Sequence, residues 1–197
     1  GGDFEVLGNE EILTIGMGKS YGVEFLYQQK LKNNFYGTLS YTFFYSKFSG
    51  LDKIFIPSVW DNRHILSFTG GYKLKRNWEI SSKVRYTGKT PYAPVDLVLS
   101  SKSYPEIIFD YSQLGNYFLT EFTKLDIRID KRWNFKSTSM NFYIDIENLL
   151  MNEIPIPPEY GLERDENLNI LNPRNLIEVI SDNRNSLIPS IGFVFDF

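Results

Sequence analysis

Phe122-Thr123-Lys124-Leu125-Asp126-Ile127-Arg128-Ile129-Asp130-Lys131-Arg132-Trp133 sets the reading of the whole 197-residue chain. Leu125, Ile127 and Ile129 alternate with Lys124, Asp126, Arg128, Asp130 and Arg132, so apolar and charged side chains take strict turns. A helix would scatter that pattern around its circumference, whereas a strand sorts it onto two faces. Six other runs repeat it: Ser20 to Leu31, Phe35 to Phe48, Arg63 to Leu74, Trp78 to Thr87, Met140 to Asn148 and Pro189 to Phe197. In the first of these Tyr21, Val23, Phe25, Tyr27 and Leu31 oppose Ser20, Gly22, Glu24 and Gln28. The sequence therefore predicts an all-β, antiparallel fold of about seven strands, each with one greasy and one polar face.

The connections alternate as regularly as the residues. Those at 32–34, 75–77 and 134–139 are short, and those at 49–62, 88–121 and 149–188 are long. A soluble sandwich has no reason to sort its loops in this way, whereas a transmembrane β-barrel has short turns at one rim and long loops at the other. Charge placement points in the same direction. Across the seven greasy faces only Lys131 lies well within a strand, with Lys47 at a loop end. Glu24, Lys30, Arg63, Lys73, Glu79, Lys83, Arg85, Lys124, Asp126, Arg128, Asp130, Arg132, Asp145, Glu147 and Asp196 fall on the other faces. A Lys or Arg facing mid-bilayer lipid costs ~2–4 kcal/mol, which keeps cations off that side. Lys131, two residues from Trp133, is placed for its amine to snorkel to the interface.

Composition removes other classes. With no Cys and His64 as the single histidine, neither a disulfide framework nor a multi-His metal site can be built. A net charge of −3 offers no basic footprint for nucleic acid. No apolar run approaches the ~20 residues of a membrane helix. The 16% aromatic content fits the barrel reading, with Tyr21, Tyr45 and Tyr86 expected as a girdle near the outer rim and Tyr72, Trp78 and Trp133 near the inner one. On the opposite face, Glu79, Lys83, Arg85, Asp126 and Arg128 are expected to line a lumen and to contact a plug there, because an occluded barrel must satisfy many buried polar groups.

Several stretches also resemble a known family. Gly18-Lys19-Ser20-Tyr21-Gly22-Val23-Glu24-Phe25, Gly37-Thr38-Leu39-Ser40-Tyr41-Thr42, Trp60-Asp61-Asn62-Arg63-His64, Tyr86-Thr87-Gly88-Lys89-Thr90-Pro91-Tyr92 and Leu125-Asp126-Ile127-Arg128 together resemble the C-terminal barrel of TonB-dependent outer-membrane receptors. Ile191, Phe193, Phe195 and Phe197 are similar to the terminal strand that outer-membrane proteins present to their barrel assembly machinery. The resemblance implies a multi-pass barrel in the outer membrane of a Gram-negative bacterium, bathed in outer-membrane lipid and occluded by an N-terminal plug. It implies energy-coupled uptake, through a TonB complex, of a siderophore, cofactor, glycan or peptide. Two alternatives stay open: a passive β-barrel channel, and a non-transporting barrel that docks a partner such as a surface lipoprotein. None is an enzyme, and none requires a cofactor.

Candidate ligand residues lie in the long connections: Trp60, Arg63, Tyr92, Tyr104 and Tyr111. Arg63 could seat a carboxylate or phosphate with His64 beside it; the plainer reading is that Asp61 and Asn62 satisfy backbone groups where a loop re-enters a strand. His64 has no serine on a strained turn to make a hydrolytic triad. Glu163, Asp165 and Glu166 lack the alternate spacing around glycine of a calcium loop and read as a solvated turn. The aromatic series of residues 88–121 either lines a mouth or packs its own loop. Bacterial barrels have even strand numbers, so a further strand is expected before residue 20, with residues 1–18 as an outer connection and a strand end at Phe4 to Leu7. On this reading residues 1–197 are the C-terminal part of one barrel domain whose plug and N-terminal strands lie elsewhere.

Overall fold

The computed structural model of the chain describes residues 14–171, 173–179 and 186–197. Seven long strands form one antiparallel sheet: β1 (Met17–Lys32), β2 (Phe35–Ser49), β3 (His64–Lys73), β4 (Trp78–Thr87), β5 (Phe122–Asn134), β6 (Ser139–Glu147) and β7 (Ile188–Asp196). Each pairs with its neighbours in sequence, from β1 through to β7, and the short segment Ile56–Pro57 adds to the far end of β2. All-β antiparallel architecture is thus as the alternation predicts. Among the described residues β1 and β7 do not pair with each other, so the sheet is open at both edges.

The short connections are turns with identifiable chemistry. Asn33 and Asn34 both adopt positive φ, 50° and 65°, which is the requirement of a two-residue turn matching the twist of its strands, and Asn is among the residues that tolerate it. The second turn closes with the Leu74 amide donating to the Trp78 carbonyl at 2.8 Å, and the third with Phe135 donating to Thr138 at 2.8 Å.

Register carries the greasy face from strand to strand. One cross-strand row runs Phe35, Tyr72, Ile80, Ile129, Ile144 and Ile191. Another runs Phe25, Tyr41, Leu66 and Tyr86. Neighbours within a row stabilise the sheet by roughly 0.2–1 kcal/mol per pair. The first row begins at the opening residue of β2 and reaches the interior of the 13-residue β5, so the strands are staggered against their turns. Such stagger belongs to sheets whose strands tilt as the sheet coils.

No second layer covers this face among the described residues. Ile80, Ile129 and Ile144 meet in the middle of the sheet yet stay 43%, 39% and 37% exposed. Of the large apolar side chains described, only Leu114 and Leu176 are buried, and both lie in long connections rather than in the sheet.

Three expectations change. β1 starts at Met17, so residues 17 and 18 belong to the strand and not to the preceding connection, and Lys19 enters the sheet opposite Lys47. Arg63 lies outside β3 with φ 65°, because the chain turns at Asp61–Asn62 before it extends. Its side chain therefore leaves the polar face on which alternation placed it. Residues 88–121, which show no helical period, contain the short helix α1 (Leu97–Ser103), whose Asp96 carboxylate accepts from the Leu99 amide at 2.9 Å. The expected strand end at Phe4 to Leu7 lies outside the described residues.

Candidate functional site: the polar face and the loop rim

Alternation places Glu79, Lys83, Arg85, Asp126 and Arg128 together, and the register does bring them onto one face. Lys83 stands opposite Asp126, Ser81 opposite Arg128, and Arg85 opposite Lys124. The charges interlock across β4, β5 and β6. Lys124 Nζ lies 2.7 Å from Glu147 Oε2 and 3.5 Å from Asp126 Oδ1, while Arg85 reaches Asp126 at 3.9 Å. Arg128 holds Asp130 with two bonds of 2.9 and 2.8 Å, and Asn141 donates to the same carboxylate at 2.8 Å. Nearer the short turns, Arg132 contacts Asp196 at 3.4 Å. A planar guanidinium suits the two-point grip on a carboxylate, which fixes direction as well as distance.

Two tyrosines build this face further, and both need a glycine opposite. Tyr36 pairs in register with Gly71, and a Cβ at residue 71 would stand 2.7 Å from Tyr36 Cζ. The ring lies across the bare backbone, from which its hydroxyl donates to Glu79. Tyr143 pairs with Gly192 in the same manner, and the Arg128 guanidinium stacks over its ring at 3.8 Å. Beside Tyr36 runs an open groove of about 410 Å³ lined by Tyr36, Glu79, Arg128, Asp130, Arg132 and Asn141. Sequence reading missed Tyr36, Tyr143, Asn141 and Asp130 as site residues, although the same period-2 rule puts all four on the charged side. The signal available was a tyrosine at a polar-face position with a glycine one strand away.

At the other end of the strands the three long connections fold against one another. Ser100, fully buried on α1, donates to the Ile108 carbonyl at 3.2 Å and accepts from the Ile108 amide at 2.8 Å. α1 contacts the strand Leu176–Val179, which pairs with Glu159–Leu162, and Leu176 is buried there. Pro91–Tyr92 pairs with Tyr117–Phe118, and Asn62 donates to Thr90 from the neighbouring connection. Gly115, at φ 95°, lies against Pro57, where any Cβ would enter the proline ring's space. The aromatic series of residues 88–121 thus divides: Tyr92 packs against Tyr117 at 6.1 Å, whereas Tyr111 remains 63% exposed. Tyr104 precedes a cis Pro105 at the end of α1, and Trp60 is 74% exposed.

The Asp61-Asn62-Arg63-His64 segment is a structured turn. Asp61 is buried and takes two bonds from Arg63, at 3.2 and 3.1 Å, while the guanidinium stacks on Tyr45 at 4.0 Å. The Arg63 guanidinium, expected as a ligand seat, thus already holds a carboxylate. His64 falls on the greasy face, its Nδ1 bonded to the Tyr41 hydroxyl at 2.8 Å. In the last long connection, the Asp165 carboxylate accepts from the amides of Asn169 and Asn167 at 2.8 and 2.9 Å, and from Asn169 Nδ2. These bonds, Asn169 first, hold its pKa below the usual carboxylate value. Burial pushes the Tyr160 phenol up, with Glu178 and Tyr92 adding to the effect.

The expected girdle residues occupy the two ends of the greasy face. Tyr21 and Tyr45 stack at 5.1 Å beside the long connections. Trp78 and Trp133 flank Lys131, whose amine lies 5.3 and 5.5 Å from their rings and donates to the Arg76 carbonyl in the adjoining turn. No family model matches this chain, and no curated protein or solved structure does so either.

Proposed function

We propose that this chain forms the C-terminal wall of an outer-membrane β-barrel receptor that imports a nutrient by TonB-dependent, energy-coupled transport. The observation that carries the reading is the two-faced single sheet. A continuous apolar face lies uncovered across seven strands, its reverse carries interlocked charges, and every long connection gathers at one rim. A soluble sheet of this size covers its greasy side with a second layer, whereas lipid covers the outside of a barrel. Strand length agrees: the 13 residues of β5 rise ~43 Å, and a tilt of ~45° brings that to the ~30 Å of a hydrocarbon core. The staggered register supplies the tilt.

On this reading the open edges of β1 and β7 are met by further strands of the same barrel, the charged face meets a plug, and the packed loops face the outside. Partners then include outer-membrane lipid, the TonB complex, the barrel assembly machinery at Phe193, Phe195 and Phe197, and a companion lipoprotein over the loop rim. Import rather than free diffusion is favoured by the organised polar face. Arg128 and Asp130 hold fixed side chains around a groove, which suits a surface that contacts another folded surface better than an aqueous pore.

The test is lipid contact followed by conductance. In the full-length protein, brominated phospholipid should quench a component of tryptophan fluorescence that is lost when Trp78 and Trp133 are replaced by Phe, since both rings sit at the lipid level. Absence of quenching sinks the membrane reading. Large constitutive conductance of the wild type in planar bilayers favours the passive channel instead.

A further inference from the structure

Four lysines of the sheet stand on the greasy face among the described residues, and they are not equivalent: Lys32, paired with Phe35, adjoins the Asn33–Asn34 turn. Lys131 has its own partner, the Arg76 carbonyl, between two tryptophans. Lys19 and Lys47, at the long-connection end, are directly opposite each other in register. Like charges so placed repel, and cross-strand pairs of this kind are destabilising. Neither has a carboxylate partner among the described residues. Lys19 Nζ lies 3.9 Å over the Phe55 ring and Lys47 Nζ lies 5.8 Å from the Tyr45 ring. Arg63 stacks 4.0 Å over Tyr45 and is neutralised by its two bonds to Asp61. Aromatic faces orient the two ammonium groups without neutralising them. The same end therefore presents stacked tyrosine rings and, one step further along each strand, two uncompensated ammonium groups.

We propose that Lys19 and Lys47 clamp the phosphate of a phosphorylated lipid headgroup in the leaflet that meets the long connections. The inference rests on the membrane reading given above. Charge complementarity selects an anion, and position selects its carrier. The cations stand on the face whose lower rows are Tyr21, Val23, Phe25 and their partners Tyr45, Phe43 and Tyr41, so an anion attached to acyl chains reaches them with its chains already on apolar surface. Free phosphate gains nothing from that face.

The full-length protein, reconstituted in nanodiscs with bisphosphorylated lipid A and with the same lipid dephosphorylated, tests this by native mass spectrometry of the retained lipid. Wild type should retain the phosphorylated form preferentially. Lys19→Gln with Lys47→Gln should lose that preference by about 5-fold per lysine, ~30-fold together, while Lys131→Gln retains it. Millimolar inorganic phosphate should leave retention unchanged. Equal retention of the two lipids by wild type, unchanged preference in the double variant, or full competition by inorganic phosphate each overturns the clamp. Quenching by brominated lipid is read on the same samples. No quenching means that the membrane reading has failed, whereas quenching without phosphate preference means that only the clamp has failed. The melting temperature of the double variant, expected to equal or exceed that of wild type once the repulsion is relieved, shows that it is folded.

Discussion

Placing a cation at the centre of the greasy face gives the sharpest test of what that face meets. Ile129 pairs in register with Ile80 and Ile144 and lies one residue from the midpoint of β5, which runs Phe122–Asn134. At ~3.3 Å per residue and ~45° tilt it stands only ~2–3 Å from the bilayer midplane. Ile129→Lys should therefore cost ~2–4 kcal/mol, the penalty of a lysine at mid-depth on a barrel's lipid face. Leu74→Lys is the control. Leu74 continues β3 in extended conformation on the same face, 44% exposed and next to the short turn before Trp78, where the amine reaches water and the cost should fall to ~0–1 kcal/mol. Urea titration of full-length protein in phosphatidylcholine vesicles, followed by tryptophan fluorescence, reads both. Ordinary water-exposed sites change by about 0.5 kcal/mol or less. If Ile129→Lys costs no more than Leu74→Lys, the face is not in lipid and the reasoning is refuted.

Gly71→Ala should destabilise by about 2–3 kcal/mol, since the new methyl drives Tyr36 off the backbone and breaks its bond to the Glu79 carboxylate. In a Tyr36→Ala background, the same urea titration should show the cost falling below ~1 kcal/mol, because the clash is gone. Arg128→Ala in the complete receptor removes the grip on Asp130 and the stack on Tyr143, and should raise ion leakage in planar-bilayer recordings; unchanged conductance counts against plug contact at this face. Asp165 contributes to its loop through a depressed pKa, so the contribution is complete above its unfolded value near 3.8 and is lost as pH falls through the lower folded value. Amide exchange at Asn167 and Asn169 should accordingly rise only under that acid, and a rise between pH 5 and 7 would argue against this carboxylate as the cause.

Most of the sheet was legible in the sequence because a strand's period of two is a local property. Trp78–Thr87 has the boundaries that alternation predicts, and every other long strand lies within three residues of its expected ends. The errors fall where backbone conformation departs from that period. Arg63 counts as a polar-face residue by parity, but the turn at Asp61–Asn62 puts it at positive φ and sends its guanidinium to Tyr45 and Asp61. α1 escaped because seven residues, Leu-Val-Leu-Ser-Ser-Lys-Ser, are too few for a helical period to emerge; what holds it is Ser100 bonded to Ile108, a contact eight residues away.

The sequence by itself determined which face most strand residues belong to and which connections are long, since both follow from alternation and spacing along one segment at a time; the bulge that pairs Lys32 with Phe35 shows where that rule stops. It also placed the charges away from the greasy side. Only the tertiary structure decided which side chains meet across strands. Register is a relation between segments, and a shift of one residue would turn every side chain to the other face. From register come the Tyr36–Gly71 and Tyr143–Gly192 pairs, the Arg128–Asp130–Asn141 cluster, and the confrontation of Lys19 with Lys47. The last depends on β1 beginning at Met17, three residues before alternation becomes visible, where pairing with β2 extends the strand past the reach of its own pattern.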